Sequence, residues 1–273
     1  MTSIPAVQPP IRVEPLWVRH LPQNAALGWL AAGWRDTWRN PIPSLAYGLL
    51  VMLVSLLIVG GLFGLGWDFV LLPALAGFMV MGPLLAIGLY EKSRRLAAGE
   101  PVSLTTMIFV RPKSGGQVLF SGALLLTLML LWMRAAVLIY ALFLGVQPFT
   151  GLSEVVPMLF GTSTGWAILI VGSAVGGLFA AFAFGISLFA IPMLLDQRTD
   201  ALTAMGTSLA LVWHNLRLLW LWGAIVAGLF GLALLTGLLG LIVIFPVLGH
   251  ATWHAWCAVR TVPPTVPDLS EAA

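Results

Sequence analysis

Long apolar runs alternate with short polar segments along this chain, and the lengths of the runs predict membrane-spanning helices. A hydrocarbon core of roughly 30 Å requires about 20 apolar helical residues. Six segments reach that length: residues 44–66, 69–90, 118–145, 166–195 and two within 218–256. As one helix, at about 1.5 Å per residue, the last stretch would span a bilayer nearly twice. We therefore divide it near Thr236 and Gly237.

A repeated arrangement of polar and apolar positions precedes the odd-numbered spans. Residues 27–40 have apolar positions on one helical face and charges away from it, which is typical of a helix lying in the membrane interface. The face is formed by Leu27, Ala31, Trp34 and Trp38, and the charges are Arg35, Asp36 and Arg39. Residues 201–215, and more weakly 103–113, occupy the same place before the fifth and third spans. The pattern predicts an all-α membrane protein whose six transmembrane helices form three hairpins, each preceded by a cytoplasmic interfacial helix.

The repeat also sets the expected boundaries of the chain's parts. The terminal tails are predicted to be cytoplasmic and to cover residues 1–26 and 261–273. The three units between them are residues 27–90, 91–195 and 196–260. No apolar run in the first 43 residues is long enough for a signal-peptide core, so we expect the N-terminus to be retained.

The basic residues predict the orientation of the spans. All but one of the thirteen Lys and Arg residues fall at the same ends of the predicted spans, and the exception is Arg134. Lys and Arg are enriched in cytoplasmic loops of membrane proteins. We therefore expect a multi-pass protein of the bacterial inner membrane with both termini in the cytoplasm.

Composition strengthens the membrane interpretation. Hydrophobic residues make up 60% of the chain and charged residues 8%, against about 25% charged residues in an ordinary soluble domain. This excludes a nucleic-acid-binding domain and most soluble enzymes, and the single cysteine, Cys257, excludes an internal disulfide. Membrane lipids are the expected partners, together with subunits of a larger membrane complex or a second copy of the chain.

Three prolines stand near the same end of the even-numbered spans. They are Pro83, Pro192 and Pro246. Because proline removes a helical hydrogen bond, we expect a kink at each. Matched broken helices also indicate transporter substrate sites, although those normally lie near the membrane midplane and these lie nearer one interface. The alternative is coincidence, since membrane helices tolerate proline.

Arg134 is the basic residue inside a predicted span, where a charge is costly. One interpretation is that its side chain extends to the outer interface beside Trp132. The alternatives are a contact with an anion or lipid headgroup, or an ion pair with Glu154 or Asp68 from the outer loops. The sequence leaves all of these open.

His250 and His254 lie four residues apart at the end of the sixth span and therefore share a helical face, as metal ligands would. Glu91 and His214 are conceivable further ligands. The alternative is that these histidines hold a helix end at the headgroups. We predict no metal and no cofactor, and the chain carries no nucleotide-binding loop or Ser/His/Asp set, so we predict that it is not an enzyme.

With these residues described, the chain resembles an uncharacterised family of bacterial six-span integral membrane proteins, some of which are labelled cytochrome c oxidase. The resemblance rests on residues 31–36, 82–91, 192–196 together with 201–205, and 245–254. It implies a six-helix inner-membrane protein and carries no established activity. A haem-copper subunit needs intramembrane histidines for two haems and a copper, whereas the histidines here lie near the predicted cytoplasmic boundary.

Two functions follow from these expectations. The first is a non-enzymatic accessory or assembly subunit of a larger inner-membrane complex. The alternative is a small transporter or channel for an anion or small metabolite, which the repeat, the prolines and Arg134 favour. A lipid-binding role is a third hypothesis.

Overall fold

A computed structural model describes residues 17–145 and 151–260 of the protein. Within these ranges the chain is helical and contains no strand. The helices are α1 (Ala25–Trp38), α2 (Pro41–Gly64), α3 (Leu71–Leu85), α4 (Ile87–Ala98), α5 (Leu104–Ile108), α6 (Gly115–Leu144), α7 (Leu152–Gly161), α8 (Ser163–Ser187), α9 (Ala190–Asp196), α10 (Ala201–His214), α11 (Leu216–Leu235) and α12 (Leu241–Arg260). Residues 1–16 of the predicted N-terminal tail and the whole predicted C-terminal tail, 261–273, lie outside the described residues.

Six stretches of the described chain are long and apolar enough to cross a membrane, which confirms the predicted fold class. They are Pro41–Gly64, Pro73–Ala98, Gly115–Leu144, Ser163–Asp196, Leu216–Leu235 and Leu241–Arg260. The predicted division of the last apolar stretch is also correct, because α11 ends at Leu235 and α12 begins at Leu241. Gly237 and Leu238 between them have positive φ angles of 61° and 70°.

The second and fourth spans are each interrupted. The second changes from α3 to α4 at Ala86, three residues after Pro83. There the Tyr47 hydroxyl of α2 donates a hydrogen bond of 2.8 Å to the carbonyl oxygen of Leu85. A neighbouring helix therefore satisfies a backbone group that the interruption leaves free.

The interruption of the fourth span separates α8 from α9 at Leu188 and Phe189, just before Pro192. A single side chain of α10 bridges it. The Ser208 hydroxyl accepts a 3.0 Å hydrogen bond from the Phe189 amide and donates one of 2.7 Å to the Gly185 carbonyl. The sixth span differs, because α12 continues as one helix across Pro246.

α12 is the central helix of the first half of the fold and packs against α1, α2 and α4. Two glycines allow this close approach. A Cβ atom at Gly33 of α1 would overlap the Val247 and Ala251 backbone, and one at Gly48 of α2 would overlap the Ile242 carbonyl. Small residues at such contacts bring helix backbones together where no hydrophobic effect drives association.

The other half of the fold joins α3, α6, α7 and α8. α6 packs against α8 and α3, and the short helix α7 packs against α8. Most of the α6 surface is exposed apolar side chain, as expected of a helix that faces lipid.

Short helices precede three of the spans at the predicted positions, and α1 is the best defined of them. Its Leu27, Trp34 and Trp38 side chains are exposed, while Trp29 and Ala32 on the opposite face are buried against the bundle. The sequence predicted one apolar face, whereas α1 has two, because it is held by the protein as well as presenting tryptophans outward. That α1 lies in the membrane interface stays a prediction.

Candidate functional site

The ends of all six spans that carry the basic residues meet at one end of the bundle, which we call the basic end. The Lys113 and Ser114 amides before α6 donate to carbonyls at the end of α9. Arg19 connects the start of α11 with the end of α12, since its amide donates to Asn215 Oδ1 (2.9 Å) and its Nε to the Val259 carbonyl (2.6 Å). Lys92 of α4 likewise donates to the Asn40 carbonyl before α2.

Six side chains from four helices form a connected set of hydrogen bonds at the basic end, which we call the polar chain. In order they are Lys92, Ser44, His250, Ser93, Asp36 and His254. The successive distances are 2.7 Å from Lys92 Nζ to Ser44 Oγ, 3.0 Å from Ser44 Oγ to His250 Nε2, 2.8 Å from His250 Nδ1 to Ser93 Oγ, 2.7 Å from Ser93 Oγ to Asp36 Oδ2, and 2.8 Å from Asp36 Oδ2 to His254 Nε2. The polar chain thus joins α1, α2, α4 and α12.

One end of the polar chain is buried away from solvent, and the other end is partly exposed to solvent. Lys92, Ser44 and His250 are each 0% exposed. The His254 and Asp36 side chains are 34% and 15% exposed. A buried ammonium group is costly unless it is hydrogen-bonded and balanced by opposite charge. Here the Lys92 ammonium donates to Ser44 and to the Asn40 carbonyl at 2.6 Å, and Asp36 supplies a negative charge within the same chain.

Asp36 is held in its ionised form by its neighbours. Burial alone would raise the pKa of this carboxyl, but the hydrogen bonds from His254 and Ser93, with the positive charge that His254 can carry, lower its pKa below the usual range. Asp36 lies in α1, outside the six candidate spans. It accepts the hydrogen bonds of both Ser93 and His254 in the polar chain.

Two groups of ion pairs flank the polar chain. Glu91, 3% exposed, accepts hydrogen bonds from Arg94 (2.8 Å) and Arg95 (2.7 Å) on the same helix. Asp196 at the end of α9 pairs with Arg260 of α12 and lies 3.9 Å from Lys113. These pairs tie α9, α12 and the start of α6 together at the basic end.

Two cavities lie along α3 and α8. The inner cavity, about 120 Å³, is partly open and is lined mainly by α3, α8, α11 and α12, and its few polar side chains include Tyr90, Trp222 and Thr252. The outer cavity, about 700 Å³, is partly open and is lined by α3, α6, α7 and α8. Residues of α3 pass from the outer wall at Ala76 to the inner wall at Phe78. The cavities are therefore stacked, with about one helical turn or less of α3 and α8 between them.

The cavity walls contain two unpartnered indole groups. Trp132 Nε1 and Trp222 Nε1 are buried and have no hydrogen-bond partner among the described residues. Trp132 belongs to the outer wall and Trp222 to the inner wall. Buried polar groups without a partner are uncommon in native proteins, so each calls for an explanation such as a ligand or water.

The predicted histidine pair lies on one face of α12, but its surroundings are those of a hydrogen-bond chain. His250 contacts two serines and His254 contacts Asp36. The conceivable further ligands lie elsewhere: Glu91 is bound to two arginines and His214 Nδ1 lies 2.8 Å from the Ala210 carbonyl. In residues 17–145 and 151–260, no three His, Cys, Asp or Glu side chains are grouped to hold a metal ion.

Arg134 is exposed on α6 and does not line either cavity. Over the described part of the chain no ion pair is seen between Arg134 and Glu154 or Asp68. An outward extension or a contact with an anion or lipid headgroup stays a prediction.

Four members of the polar chain escaped the sequence analysis. The sequence predicted Asp36 among the charges away from the apolar face of its helix and Lys92 at a basic span end, and it indicated no role for Ser44 or Ser93. The available signal was weak: Lys92 and Ser93 continue a span directly after Glu91, and charges in that position usually end a helix in solvent. Asp36 lies within one of the segments that carry the family resemblance.

Comparison with known proteins gives one match. Residues 71–196 match the model of a family described as "Predicted integral membrane protein (DUF2189)". The match confirms the predicted resemblance to an uncharacterised family of membrane proteins. It runs from α3 to α9 and so includes Lys92 and Ser93 of the polar chain. No curated protein and no solved structure matches the chain.

Proposed function

We propose that this integral membrane protein is a non-enzymatic transporter for an amphipathic organic solute with an apolar body and one polar head. The observation that carries the proposal is the stacking of the two cavities along α3 and α8. Both spans that form these shared walls are interrupted, at Ala86 and at Leu188–Phe189. Discontinuous helices at corresponding positions are typical of transporter binding sites.

The lining of the cavities supports this class of solute. No charged side chain lines either cavity in the described residues. Apolar walls suit an alkyl or aromatic body, and the unpartnered Trp132 and Trp222 indole groups can each donate one hydrogen bond. A bilayer already admits an apolar body but rejects a polar head, so transport of the head is what a protein would supply. This class differs from the anion suggested by Arg134, which lies away from the cavity walls.

The test is movement of a labelled amphiphile across proteoliposomes. The probe is lysophosphatidylcholine carrying a nitrobenzoxadiazole (NBD) label, and external dithionite bleaches the label on molecules that reach the outer leaflet. We expect bleaching beyond the initial outer-leaflet fraction to be faster than in protein-free liposomes. Rates equal to those of protein-free liposomes would overturn the proposal.

A matched pair of glycine substitutions ties the movement to the outer cavity. Gly172 lines that cavity and has open space around its missing Cβ, so Gly172→Leu fills the cavity without a backbone clash. Gly61 of α2 also has open space but lines neither cavity. We expect Gly172→Leu to abolish the added rate and Gly61→Leu to retain it. Equal rates for both variants would show that the amphiphile bypasses the cavity.

An accessory role in a larger membrane complex is the second proposal. It is favoured by exposed aromatic side chains near the basic end, which include Trp34, Trp38, Phe109, Trp213 and Trp220. Such residues suit either a membrane interface or a partner subunit. Native mass spectrometry and an optical spectrum of the protein extracted from native membranes in mild detergent test this role. Stoichiometric extra subunits support it, and a protein found alone or as a homo-oligomer without a chromophore contradicts it.

Both proposals place the basic end in the cytoplasm of a bacterial cell. Cys257 lies near that end in α12 and is partly buried. In intact cells it should resist a membrane-impermeant thiol reagent and react after permeabilisation. Labelling of Cys257 in intact cells would show that the basic end faces outward and would contradict this orientation.

A further inference from the structure

We propose that the polar chain is a proton relay, in which Lys92 exchanges a proton with Asp36 through Ser44, His250 and Ser93. Its connection to a transported solute rests on the proposed function. The proton path itself rests on the hydrogen bonds at the basic end. The two can therefore be tested separately.

His250 is 0% exposed and is joined through Ser44 to the Lys92 ammonium group, which disfavours a second positive charge, so we take its ring as neutral. For a neutral His250 and an ionised Asp36, counting donors and acceptors leaves one arrangement of hydrogens that uses every contact. An ammonium group only donates, so Lys92 donates to Ser44 Oγ and the Ser44 hydroxyl is directed to His250 Nε2. At the other end an ionised carboxylate only accepts, so the Ser93 hydroxyl donates to Asp36. His250 Nδ1 must then carry the hydrogen that Ser93 Oγ accepts.

The assignment gives every hydrogen bond the same direction, from Lys92 toward Asp36. His250 is neutral, with its hydrogen on Nδ1 and its Nε2 accepting. His254 contacts the same Asp36 oxygen and donates to it through Nε2. A chain of hydrogen bonds with one direction is the arrangement in which protons can shift in sequence.

The shift conserves every atom. Lys92 gives a proton to Ser44 Oγ, Ser44 gives its own to His250 Nε2, His250 Nδ1 gives its own to Ser93 Oγ, and Ser93 gives its own to Asp36. Both serines end as hydroxyls and His250 ends neutral with its hydrogen on Nε2. Lys92 becomes a neutral amine and Asp36 a neutral acid. The two opposite charges of the polar chain are removed together, so no unbalanced charge is left buried.

The two ends of the relay face different surroundings. Asp36 and His254 are partly exposed at the basic end, where water can accept or supply the proton. Lys92 is fully buried, and residues next to the polar chain in sequence line the inner cavity: Tyr90 on α4, and Gly249 and Thr252 on α12. The relay thus runs from the surface of the basic end to the region beside that cavity.

Other charged groups surround the relay without joining it among the described residues. They are Arg35 on α1 and Arg39 just after it, Glu91, Arg94 and Arg95 on α4, Asp196 on α9, and Arg260 on α12, and the titratable but neutral thiol of Cys257 also lies on α12. Glu91 and Asp196 are paired with arginines. The acids near the relay are therefore already neutralised, which leaves Asp36 as its acceptor.

The experiment measures how fast the His250 ring proton exchanges with water. The protein carries ¹⁵N-labelled histidine in detergent micelles, and His250→Gln identifies the His250 signals by their loss. We expect the wild-type signals of a neutral ring protonated at Nδ1. We also expect the Nδ1 proton to exchange through Ser93 and Asp36 although the ring is 0% exposed.

Ser93→Ala separates a relay from a structural hydrogen-bond network. If Ser93 passes the proton, its removal slows exchange by about tenfold or more, since one bonded step of the path is lost. If the network only holds helices together, its removal loosens the site and exchange becomes equal or faster. Equal or faster exchange would overturn the proposal.

Three further variants guard against a general effect of serine removal. Ser93→Thr keeps a hydroxyl and should restore exchange to near the wild-type rate. Ser44→Ala cuts the path on the Lys92 side only, so exchange toward Asp36 should persist. Ser121→Ala removes a buried hydroxyl of α6 that has no partner among the described residues, and it should leave the rate unchanged. Slowing in Ser121→Ala, or no rescue by Ser93→Thr, would also contradict the relay. No solute enters this experiment, so a failure of amphiphile movement leaves its outcome intact.

Discussion

At the basic end, side chains of α1, α2, α4 and α12 are joined by a continuous set of hydrogen bonds. At the opposite end α6, α7 and α8 meet mainly through apolar contacts, with one side-chain hydrogen bond of 3.2 Å from Trp166 Nε1 to the Phe160 carbonyl. The Trp132 and Phe179 rings lie 5.8 Å apart there, and Phe160 and Trp166 lie 6.2 Å apart. The larger cavity also lies toward that end, at about 700 Å³ against about 120 Å³ for the inner one.

The difference assigns separate roles to the two ends. Hydrogen bonds require defined distances and angles and so specify one arrangement of helices. Apolar contacts are non-directional, and an incompletely filled interior loses dispersion contacts. We infer that the basic end fixes the bundle and that the opposite end can change its width around a bound molecule.

Lys92→Met should produce the largest loss of stability. Methionine has similar length but removes the charge and the donors to Asn40 and Ser44, and Asp36 loses its balancing charge. We expect the free energy of unfolding to fall by about 3–5 kcal/mol, as when one partner of a buried charge pair is removed. Titration with sodium dodecyl sulfate in mixed micelles measures it.

Lys113→Met is the matched control for this substitution. The Lys113 side chain is 55% exposed and lies 3.9 Å from Asp196, so its removal should cost less than about 1 kcal/mol. Similar losses for the two variants would show that the polar chain does not dominate the stability of the basic end.

Gly33→Ala tests the contact between α1 and α12. The added Cβ meets the Val247 and Ala251 backbone, which cannot move aside as a flexible side chain can. We expect a loss of about 1–3 kcal/mol in the same titration. Gly28→Ala on the same helix meets nothing within 4 Å and should be neutral or stabilising. The contact is less tight than described if Gly33→Ala behaves like Gly28→Ala.

The lowered pKa of Asp36 predicts how the stability of the folded protein depends on pH. Because its pKa is lower in the folded protein than in the unfolded chain, its contribution is fully present above about pH 4 and is lost as pH falls through the folded pKa. Asp36→Asn leaves Lys92 without its balancing charge, but Asp36 is partly exposed and the amide oxygen still accepts one hydrogen bond. The variant should cost about 1–3 kcal/mol at pH 7, less than Lys92→Met, and should lack this acid-dependent loss. Thermal unfolding of both proteins between pH 3 and pH 7 measures the effect, and parallel profiles would contradict it.

Arg134→Ala should have the smallest effect. The side chain is exposed on α6, away from the polar chain and from both cavity walls. We expect a change in unfolding free energy within about 0.5 kcal/mol. A loss above about 1 kcal/mol, measured in lipid nanodiscs, would show that Arg134 binds a group that stabilises the opposite half.

The spans were predictable because length and hydropathy are properties of contiguous residues. The division at Thr236 and Gly237 followed from the same length requirement, and the positive φ of Gly237 marks the turn there. The positions of the prolines predicted the helix interruptions less well. Pro83 and Pro192 lie close to interruptions, while α12 passes through Pro246.

The surroundings explain this difference between the prolines. Hydroxyl groups of Tyr47 and Ser208 satisfy backbone groups at the two interruptions. At Pro246 the helix is not interrupted. The Ile242 carbonyl, which this proline leaves without an amide partner, lies against Gly48 of α2. These contacts join residues distant in sequence, so a local motif cannot reveal them.

The polar chain was visible in the sequence only where two of its members share a helix. His250 and His254 are four residues apart on α12, and that spacing drew attention to them. Asp36, Ser44, Lys92 and Ser93 are brought to them by the packing of α1, α2 and α4 around α12. Serine and lysine near a span end have ordinary solvent-facing roles, so their participation depends on that packing.

The last described helix, α12, supplies His250, which links the polar side chains of the earlier helices α1, α2 and α4. When ribosomes deliver this chain to the membrane, α1, α2 and α4 emerge long before α12, so Asp36 and Lys92 must wait without His250 to link them. A nascent chain that stops short of α12 would expose a lysine and an aspartate inside an unfinished bundle.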